Sequence, residues 1–209
     1  MTKNDVQGPD TTEKILQAAT QLFAENNYEA VSIKAIAAAA HVNSALISYH
    51  FGGKRQLYEA VLKAQIDLFH NSILRLRSSK LPGLQRIRQL MDEQAKIHLQ
   101  NNSSMRVIYR ELLSPTEVSE RKFGAAIYLF YDDVAELFDQ AKAEGSIRAD
   151  VESYAASFTL FSILAFYLMT YQYNPHERRM KGANDFERVR GTYMTYLRTL
   201  LTGKEKLEP

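Results

Sequence analysis

Residues 43 to 50 form a short run of polar and aromatic side chains of the kind that contact nucleic acid. The run reads Asn-Ser-Ala-Leu-Ile-Ser-Tyr-His. Amides and hydroxyls hydrogen-bond to base edges, and Tyr or His reaches phosphate or a thymine methyl group. From residue 30 to 58 the chain carries three Lys or Arg, two His and no carboxylate. A surface that faces phosphate needs this lack of acids, because a carboxylate there would repel the backbone.

Apolar residues alternate with these polar ones at the spacing of a helix that is buried on one side. Val42, Leu46, Ile47 and Phe51 are expected to turn inward, and the small side chain of Ala45 permits close helix approach. The polar residues are then left facing solvent or a DNA groove. The pattern therefore predicts a recognition helix over about residues 44–50.

The neighbouring segments predict the frame of a helix-turn-helix. Asp10 or Thr12 can cap a first helix that ends near residues 26–27, and Ser32 caps a short helix over 33–40. A break at 41–43 leads into the recognition helix, which Gly52 and Gly53 close. A long helix then runs from residue 54 to about 78. Three short helices followed by a long one place one helix in the major groove.

This segment resembles the DNA-binding signature of the TetR family over about residues 11–58. The strongest matches are Val42, Ala45, Ile47, His50, Phe51, Lys54 and Leu57. The resemblance and the residue types together predict DNA contacts from Ser32, Lys34, Asn43, Ser44, Ser48, Tyr49, His50 and Lys54. The alternative for Ser32 is a helix cap alone, and for Tyr49 and His50 it is an ordinary exposed side chain. Two positions depart from the family pattern. His41 stands where glycine is usual in the turn, and Ser48 stands where tyrosine is frequent, so Tyr49 is expected to take over that phosphate contact.

The composition and the few Gly and Pro residues, which lie at breaks between segments, predict an all-α protein. Of 209 residues, 45% are hydrophobic and 24% charged, with Gly 9, Pro 5 and no cysteine. The formal net charge of +2 is too small to indicate nucleic-acid binding by itself. Further helices are predicted at about 84–101, 103–113, 116–144, 151–173 and 184–202. The predicted organisation is a disordered arm (1–10), a DNA-binding domain (11–58), a helical effector-binding and dimerisation domain (59–203) and a disordered tail (204–209).

Residues 154 to 173 contain no charge and are about as long as a membrane span. Several Ser and Thr side chains interrupt this stretch, and Trp anchors are missing from its flanks. A helix that is apolar all round also suits the centre of a bundle or a dimer interface. The soluble interpretation is favoured over a membrane anchor, and the first 14 residues lack the apolar core of a secretory signal. A cytoplasmic location is expected.

The last two predicted helices are candidates for a dimer interface. Paired half-sites give a DNA-binding module the specificity that one recognition helix lacks, and the resemblance implies a four-helix bundle built from two copies of this helix pair. The candidate interface residues are Tyr154, Phe158, Phe161, Ala165, Leu168, Phe186, Val189, Tyr193 and Tyr196. The alternative is that the apolar stripes of both helices belong to the core of a single chain. Each helix can also contribute to both the core and the dimer interface.

The middle helices are expected to hold a pocket for a small hydrophobic or amphipathic effector, because they are rich in aromatic residues with isolated polar groups. Candidate lining residues are His98, Met105, Tyr109, Arg110, Phe123, Tyr128, Phe158 and Tyr167. Ordinary core packing is the alternative for each. The stretch 110–116, Arg-Glu-Leu-Leu-Ser-Pro-Thr, resembles one branch of TetR regulators associated with drug efflux and stress response. Arg110 and Glu111 could instead form a structural ion pair.

The resemblance thus implies a ligand-responsive regulator, most simply a repressor, that binds a palindromic operator as a homodimer. The chain lacks a Cys nucleophile, a G-x-S-x-G motif and a phosphate-binding glycine loop, and its five histidines are scattered. An enzyme is therefore not expected, nor is a cofactor or a metal site. The alternative function is a TetR-like DNA-binding protein with an architectural role and no effector.

Overall fold

The structure is a computed structural model that describes residues 10–100, 102–118, 122–170 and 184–203. Within these ranges every regular element is an α-helix, which confirms the predicted all-α fold. The helices are α1 (Thr11–Glu25), α2 (Ile33–Ala39), α3 (Ser44–Phe51), α4 (Lys54–Arg77), α5 (Gly83–Gln100), α6 (Asn102–Leu113), α7 (Lys122–Ala143), α8 (Ser153–Thr170) and α9 (Asn184–Thr202). Most boundaries lie within two residues of those predicted.

The chain divides into two compact units. Unit 1 comprises residues 1–68 and 99–127, and unit 2 comprises residues 69–98 and 128–209. Unit 1 thus joins the helix-turn-helix to α6, which lies far along the sequence. The predicted domain boundary between residues 58 and 59 stays a prediction. The predicted disordered arm (1–10) and tail (204–209) lie outside the described part, except for residue 10, which is the N-cap of α1.

The core of unit 1 forms because the apolar faces of its helices converge. Ile15, Phe23, Ile36, Ile47 and Leu57 are each at most 1% exposed. Complete burial of such a side chain stabilises the fold by roughly 1.5–3 kcal/mol. Ile47 therefore packs α3 against this core, and the opposite face of that helix is exposed.

Local capping fixes both ends of the turn between α2 and α3. The Ser32 hydroxyl accepts a hydrogen bond from the Ala35 amide at 3.1 Å, as predicted for the start of α2. The Asn43 side-chain oxygen accepts one from the Ala45 amide at 2.9 Å. Gly52 closes α3 with φ of 82°, the left-handed conformation that favours glycine. Asp10 lies at the N-cap of α1, but its side chain makes no capping hydrogen bond.

His41 adopts a left-handed backbone in that turn. Its φ is +56°, and it is the non-glycine residue with positive φ in the described part of the chain. The expected bend at a position where glycine is usual is therefore made by a residue with a side chain. Such a conformation costs an L-amino acid about 1–2 kcal/mol.

The predicted helix over 116–144 begins later than expected. Residues 115–118 are not helical, and α7 starts at Lys122. The carboxylate of Glu111 accepts hydrogen bonds from the Thr116 amide at 2.7 Å and from the Thr116 hydroxyl at 3.1 Å. A backbone amide engaged by a side chain in this way starts a turn, because the segment is held to the preceding helix.

Unit 2 packs the C-terminal part of α7 against α5 and α8. Phe138 and Leu160 are fully buried, and the Ser153 hydroxyl donates to Asp139 at 2.6 Å. The neighbouring Lys142 ammonium, followed by that bond, lowers the pKa of Asp139. Among the described helices, α8 included, none has the length and apolar character needed to cross a bilayer.

Candidate nucleic-acid interface

Helix α3 presents the predicted polar residues on its outer face. Ser44, Ser48, Tyr49 and His50 are exposed, whereas Ile47 on the opposite face is completely buried. Tyr49 is 82% exposed, an unusual value for a large aromatic residue. Its ring meets that of His50 edge-on at 5.0 Å between ring centres. Ser44, Ser48 and Tyr49 are therefore accessible to a partner, whereas His50 Nδ1 lies 3.4 Å from the Thr12 hydroxyl on α1.

Two of the predicted contact residues have structural duties as well. Ser32 and Asn43 are exposed. Each is an N-cap, of α2 and α3 respectively, and its side chain accepts a hydrogen bond from a backbone amide of that helix. Replacing such a cap by alanine costs about 0.5–2 kcal/mol. The capping role predicted for Ser32 is confirmed, while its phosphate contact stays a prediction. A change at Asn43 would alter both the helix start and any contact with a base.

The cationic residues of the segment differ in their surroundings. Lys34 is exposed on α2. Lys54 is half-buried, and its ammonium donates to the Glu29 carbonyl oxygen at 3.3 Å and lies 4.3 Å from the centre of the Tyr28 ring. These contacts hold the positive charge at the start of α4.

The predicted effector residues of unit 1 are largely covered. Met105 and Phe123 are 4% and 7% exposed, and Tyr109 is half-buried. Phe123 lines an apolar cleft of about 450 Å³ between α4 and α7, together with Leu62 and Ile66. Arg110 borders a separate, more polar cavity of about 560 Å³. Arg110 and Phe123 therefore lie at two different cavities, and Met105 and Tyr109 line neither of these two.

The candidates in unit 2 lie in contrasting environments. His98 is 8% exposed, its Nδ1 lies 2.7 Å from the Gln94 carbonyl oxygen, and its ring meets Phe69 edge-on. Burial lowers the pKa of His98. Tyr128 and Phe158 are 66% and 54% exposed and so lie on the surface of the single chain. The side chain of Tyr167 lies outside the described part.

The predicted dimer residues divide between core and surface. Phe161 is 7% exposed against Phe130, at 4.6 Å between ring centres, so the single chain already covers it. The half-buried Tyr193 hydroxyl donates to the Leu160 carbonyl at 3.4 Å, and burial raises its pKa to about 12. Ala165 is half-buried. The exposed members are Tyr154, Phe158 and Tyr196. The side chains of Leu168, Phe186 and Val189 lie outside the described part.

Sequence reasoning missed how α6 supports the helix-turn-helix. The Arg110 guanidinium donates to the carbonyl oxygens of Phe23 at 2.6 Å, Ala24 at 3.2 Å and Asn26. Glu111, 1% exposed, accepts the Tyr58 hydroxyl at 2.6 Å. Burial and Glu111 raise the pKa of Tyr58. The sequence signal was the Arg-Glu pair itself, which turned out to have partners on α1, α4 and the following loop.

The fold and the exposed face of α3 define a helix-turn-helix DNA-binding domain followed by further helices. Residues 15–61 match the model of the family described as "Bacterial regulatory proteins, tetR family". This part of the chain is therefore similar to the DNA-binding domain of that family. Among the described residues, no group of three or more His, Cys, Asp or Glu could hold a metal ion.

Known proteins similar to this chain are regulators. It is 48% identical over 69 residues to the HTH-type transcriptional repressor Rv3405c of Mycobacterium tuberculosis, and the match covers 33% of this chain and 35% of that protein. The chain thus spans about a third of the length of such relatives. The TetR family regulator PfmR of Thermus thermophilus matches with a TM-score of 0.70 at 19% identity, covering 95% of this chain and 100% of that one. AibR, solved with isovaleryl coenzyme A and operator DNA, matches with a TM-score of 0.67 at 23% identity, covering 90% and 97%. These two likenesses concern the fold.

Proposed function

We propose that the protein is a cytoplasmic transcription regulator, acting as a repressor, that binds a near-palindromic DNA operator as a homodimer. The observation that carries the proposal is the outer face of α3. Ser44, Ser48 and Tyr49 are exposed there above a completely buried Ile47, in a segment without carboxylates. Such a helix enters the major groove, where hydroxyl groups reach base edges and phosphates. The name of the Mycobacterium tuberculosis relative supports repression.

Operator binding is tested by selecting bound sequences from a random DNA pool and measuring affinity for the selected site. We expect a two-fold symmetric site whose affinity falls steeply as salt rises, because bound phosphates release counterions. Tyr49→Ala should alter the sequence preference, whereas Lys34→Ala and Lys54→Ala should weaken binding to all sequences. Lys96→Ala, an exposed lysine on α5, is the matched control for charge. Unchanged binding after Tyr49→Ala and Lys54→Ala together would contradict this placement of the DNA.

The effector proposal is supported by the apolar cleft between α4 and α7. Its lining combines Leu62, Ile66 and Phe123 with the charged rim residues Glu59 and Lys63. An apolar cleft with a few polar groups suits a small hydrophobic or amphipathic ligand. We propose that such a ligand favours a state of the dimer with low operator affinity. A neighbour of similar fold, AibR, was solved with isovaleryl coenzyme A.

A compound screen against the operator complex tests the effector proposal. A ligand that releases the wild-type protein but not a Phe123→Ala variant with normal operator affinity supports it. Operator affinity that no compound changes would favour the alternative function, an architectural DNA-binding protein without an effector. The variant Leu113→Ala, at an exposed apolar residue of α6 outside that cleft, is the control.

A narrower proposal concerns the regulated genes. The stretch 110–116 resembles regulators associated with drug efflux and stress response, so we propose that operators lie near genes of that kind. A genome-wide map of bound sites tests this directly. Sites next to transporter genes support the proposal, and sites confined to other metabolic genes contradict it while leaving operator binding intact.

A further inference from the structure

Helix α1 ends without a cation of its own. Its last turn contains no basic residue, and its C-cap, Asn26, has an extended backbone with φ of −131° and ψ of 157°. The last carbonyl groups of a helix lack intrahelical partners and form the negative end of the helix dipole. A cation near this end is therefore favourable, and the chain must provide it from elsewhere.

Arg110 provides that cation from α6. Its two terminal nitrogens donate to the carbonyl oxygens of Phe23 and Ala24 in the last turn of α1 and of Asn26, the C-cap. The planar guanidinium group can make these bonds at once, and a lysine ammonium lacks that geometry. Arg110 thus ties the end of α1 to a helix that begins only at Asn102.

The next residue ties the same helix to α4. Glu111 is 1% exposed and accepts the Tyr58 hydroxyl at 2.6 Å. The Tyr58 ring packs edge-on against Phe23 at 4.8 Å between ring centres. The two helices that flank α2 and α3 in sequence, α1 and α4, are therefore both held by adjacent residues of α6. All these contacts lie within unit 1.

We propose that Arg110 is a positioning residue for DNA recognition, which holds the end of α1 so that α3 is presented at the angle required by base edges. The inference rests on the proposed operator binding. Arg110 touches no base in this scheme. Loss of its bonds lets the corner between α1 and α2 shift, and the outer face of α3 shifts with it. Binding that depends on base contacts should suffer more than binding to phosphates, because a small displacement breaks directional hydrogen bonds but leaves charge attraction intact.

The primary test compares Arg110→Gln with Arg106→Gln. Arg106 is exposed on α6 one turn earlier, so both variants remove one positive charge from the same helix. Affinities for the operator and for random DNA are measured for each. We expect Arg110→Gln to lower operator affinity about tenfold relative to Arg106→Gln, the scale of lost charged hydrogen bonds, with equal affinity for random DNA. Equal operator affinity in the two variants would overturn the proposal.

A second variant separates positioning from helix stabilisation. Glu25 lies in the last turn of α1, and Glu25→Lys supplies a local cation there. Added to Arg110→Gln, it should restore the melting temperature but not the ratio of operator to random-DNA affinity, because it does not connect α1 to α6. Glu25→Lys alone controls for the added charge. Recovery of both quantities would overturn the proposal in favour of simple capping.

Different results would contradict the proposed operator binding and the proposed role of Arg110. If the wild-type protein shows no preference for any DNA sequence, the proposed function fails, whatever Arg110 does. If Arg110→Gln does not fold, Arg110→Lys is used instead, because it keeps the charge and loses the planar fork. Arg110→Lys should then show the reduced affinity ratio at near-normal stability, and a normal ratio in that variant would overturn the proposal.

Discussion

The left-handed backbone of His41 is the clearest strain in the DNA-binding domain. We expect His41→Gly to stabilise the protein by roughly 0.5–1 kcal/mol, because relief of about 1–2 kcal/mol exceeds the entropy that glycine adds to the unfolded chain. The change is measured as the shift in the midpoint of urea unfolding. His41→Ala is the matched control, since it removes the imidazole and keeps the Cβ. An equal gain in stability from His41→Ala would mean that the imidazole side chain, and not the left-handed backbone, causes the strain.

His98 predicts a pH dependence of stability. Burial lowers its pKa in the folded protein, whereas the unfolded chain titrates near the ordinary value of about 6.5. The unfolded state therefore binds the proton first as pH falls. The neutral, buried His98 contributes stability above pH about 6.5, and this is lost as pH falls from there towards the lower folded pKa.

The measurement is the free energy of unfolding of the wild type and of His98→Gln between pH about 7.5 and about 5. The wild type should lose more stability over this range than the variant. Carboxylates with lowered pKa, such as Asp139, are present in both proteins and cancel in the comparison. Parallel pH profiles would contradict the assignment of this dependence to His98.

At the scale of elements, the packing of α5 against α7 depends on one glycine. A Cβ added at Gly83, at the start of α5, would lie 2.5 Å from the Ala141 Cβ and 2.6 Å from its Cα. Such contacts force a backbone shift, so Gly83→Ala should destabilise the protein by about 1–3 kcal/mol. Thermal or urea unfolding measures this cost.

Gly124 offers the matched control for that substitution. It lies within α7, and a Cβ added there meets nothing within 4 Å. Gly124→Ala should be neutral or stabilise the helix by up to about 1 kcal/mol. A comparable loss of stability in both variants would mean that the approach of α5 to α7 is not the cause.

Helix boundaries were predictable where local chemistry sets them. Ser32 and Gly52 define the ends of α2 and α3 through bonds to residues within four positions, so the sequence contains the necessary information. The start of α7 was predicted wrongly at 116. Glu111 holds Thr116 and is itself held by Tyr58, 53 residues away in sequence. A contact of that range leaves no periodic pattern in the chain.

At the scale of the whole molecule, some residues of the predicted sites could be identified from the sequence and others could not. The recognition face was predictable because alternation of polar residues with Ile47 fixes which side of α3 is exposed. Residue type alone did not distinguish effector-binding residues from residues of the hydrophobic core. Met105 and His98 are both buried, yet Tyr128 is 66% exposed. Aromatic composition is the same for a core, a pocket wall and a surface, and only the packing of other helices distinguishes them.

The surface left on α8 and α9 predicts how two chains assemble. Phe158 and Phe166 on α8 are 54% and 69% exposed, and Tyr196 and Leu200 on α9 are 65% and 66% exposed. Large apolar side chains grouped on a surface favour an interface, and burial in a dimer would remove them from water. We therefore expect the variant Phe158→Glu with Tyr196→Glu to be monomeric, because four carboxylates would meet in the symmetric contact.

Sedimentation and DNA binding together test this assembly. The double variant should sediment as one chain, keep its affinity for a single half-site, and lose about hundredfold in affinity for the full operator, because the second recognition helix is no longer tethered. Tyr128→Glu with Leu129→Glu is the matched control, since these α7 residues are 66% and 62% exposed and lie outside both helices. A control variant that also becomes monomeric would place the contact on α7. A dimer that survives the changes on α8 and α9 would contradict the proposed interface, while intact half-site binding would still support the recognition face of α3.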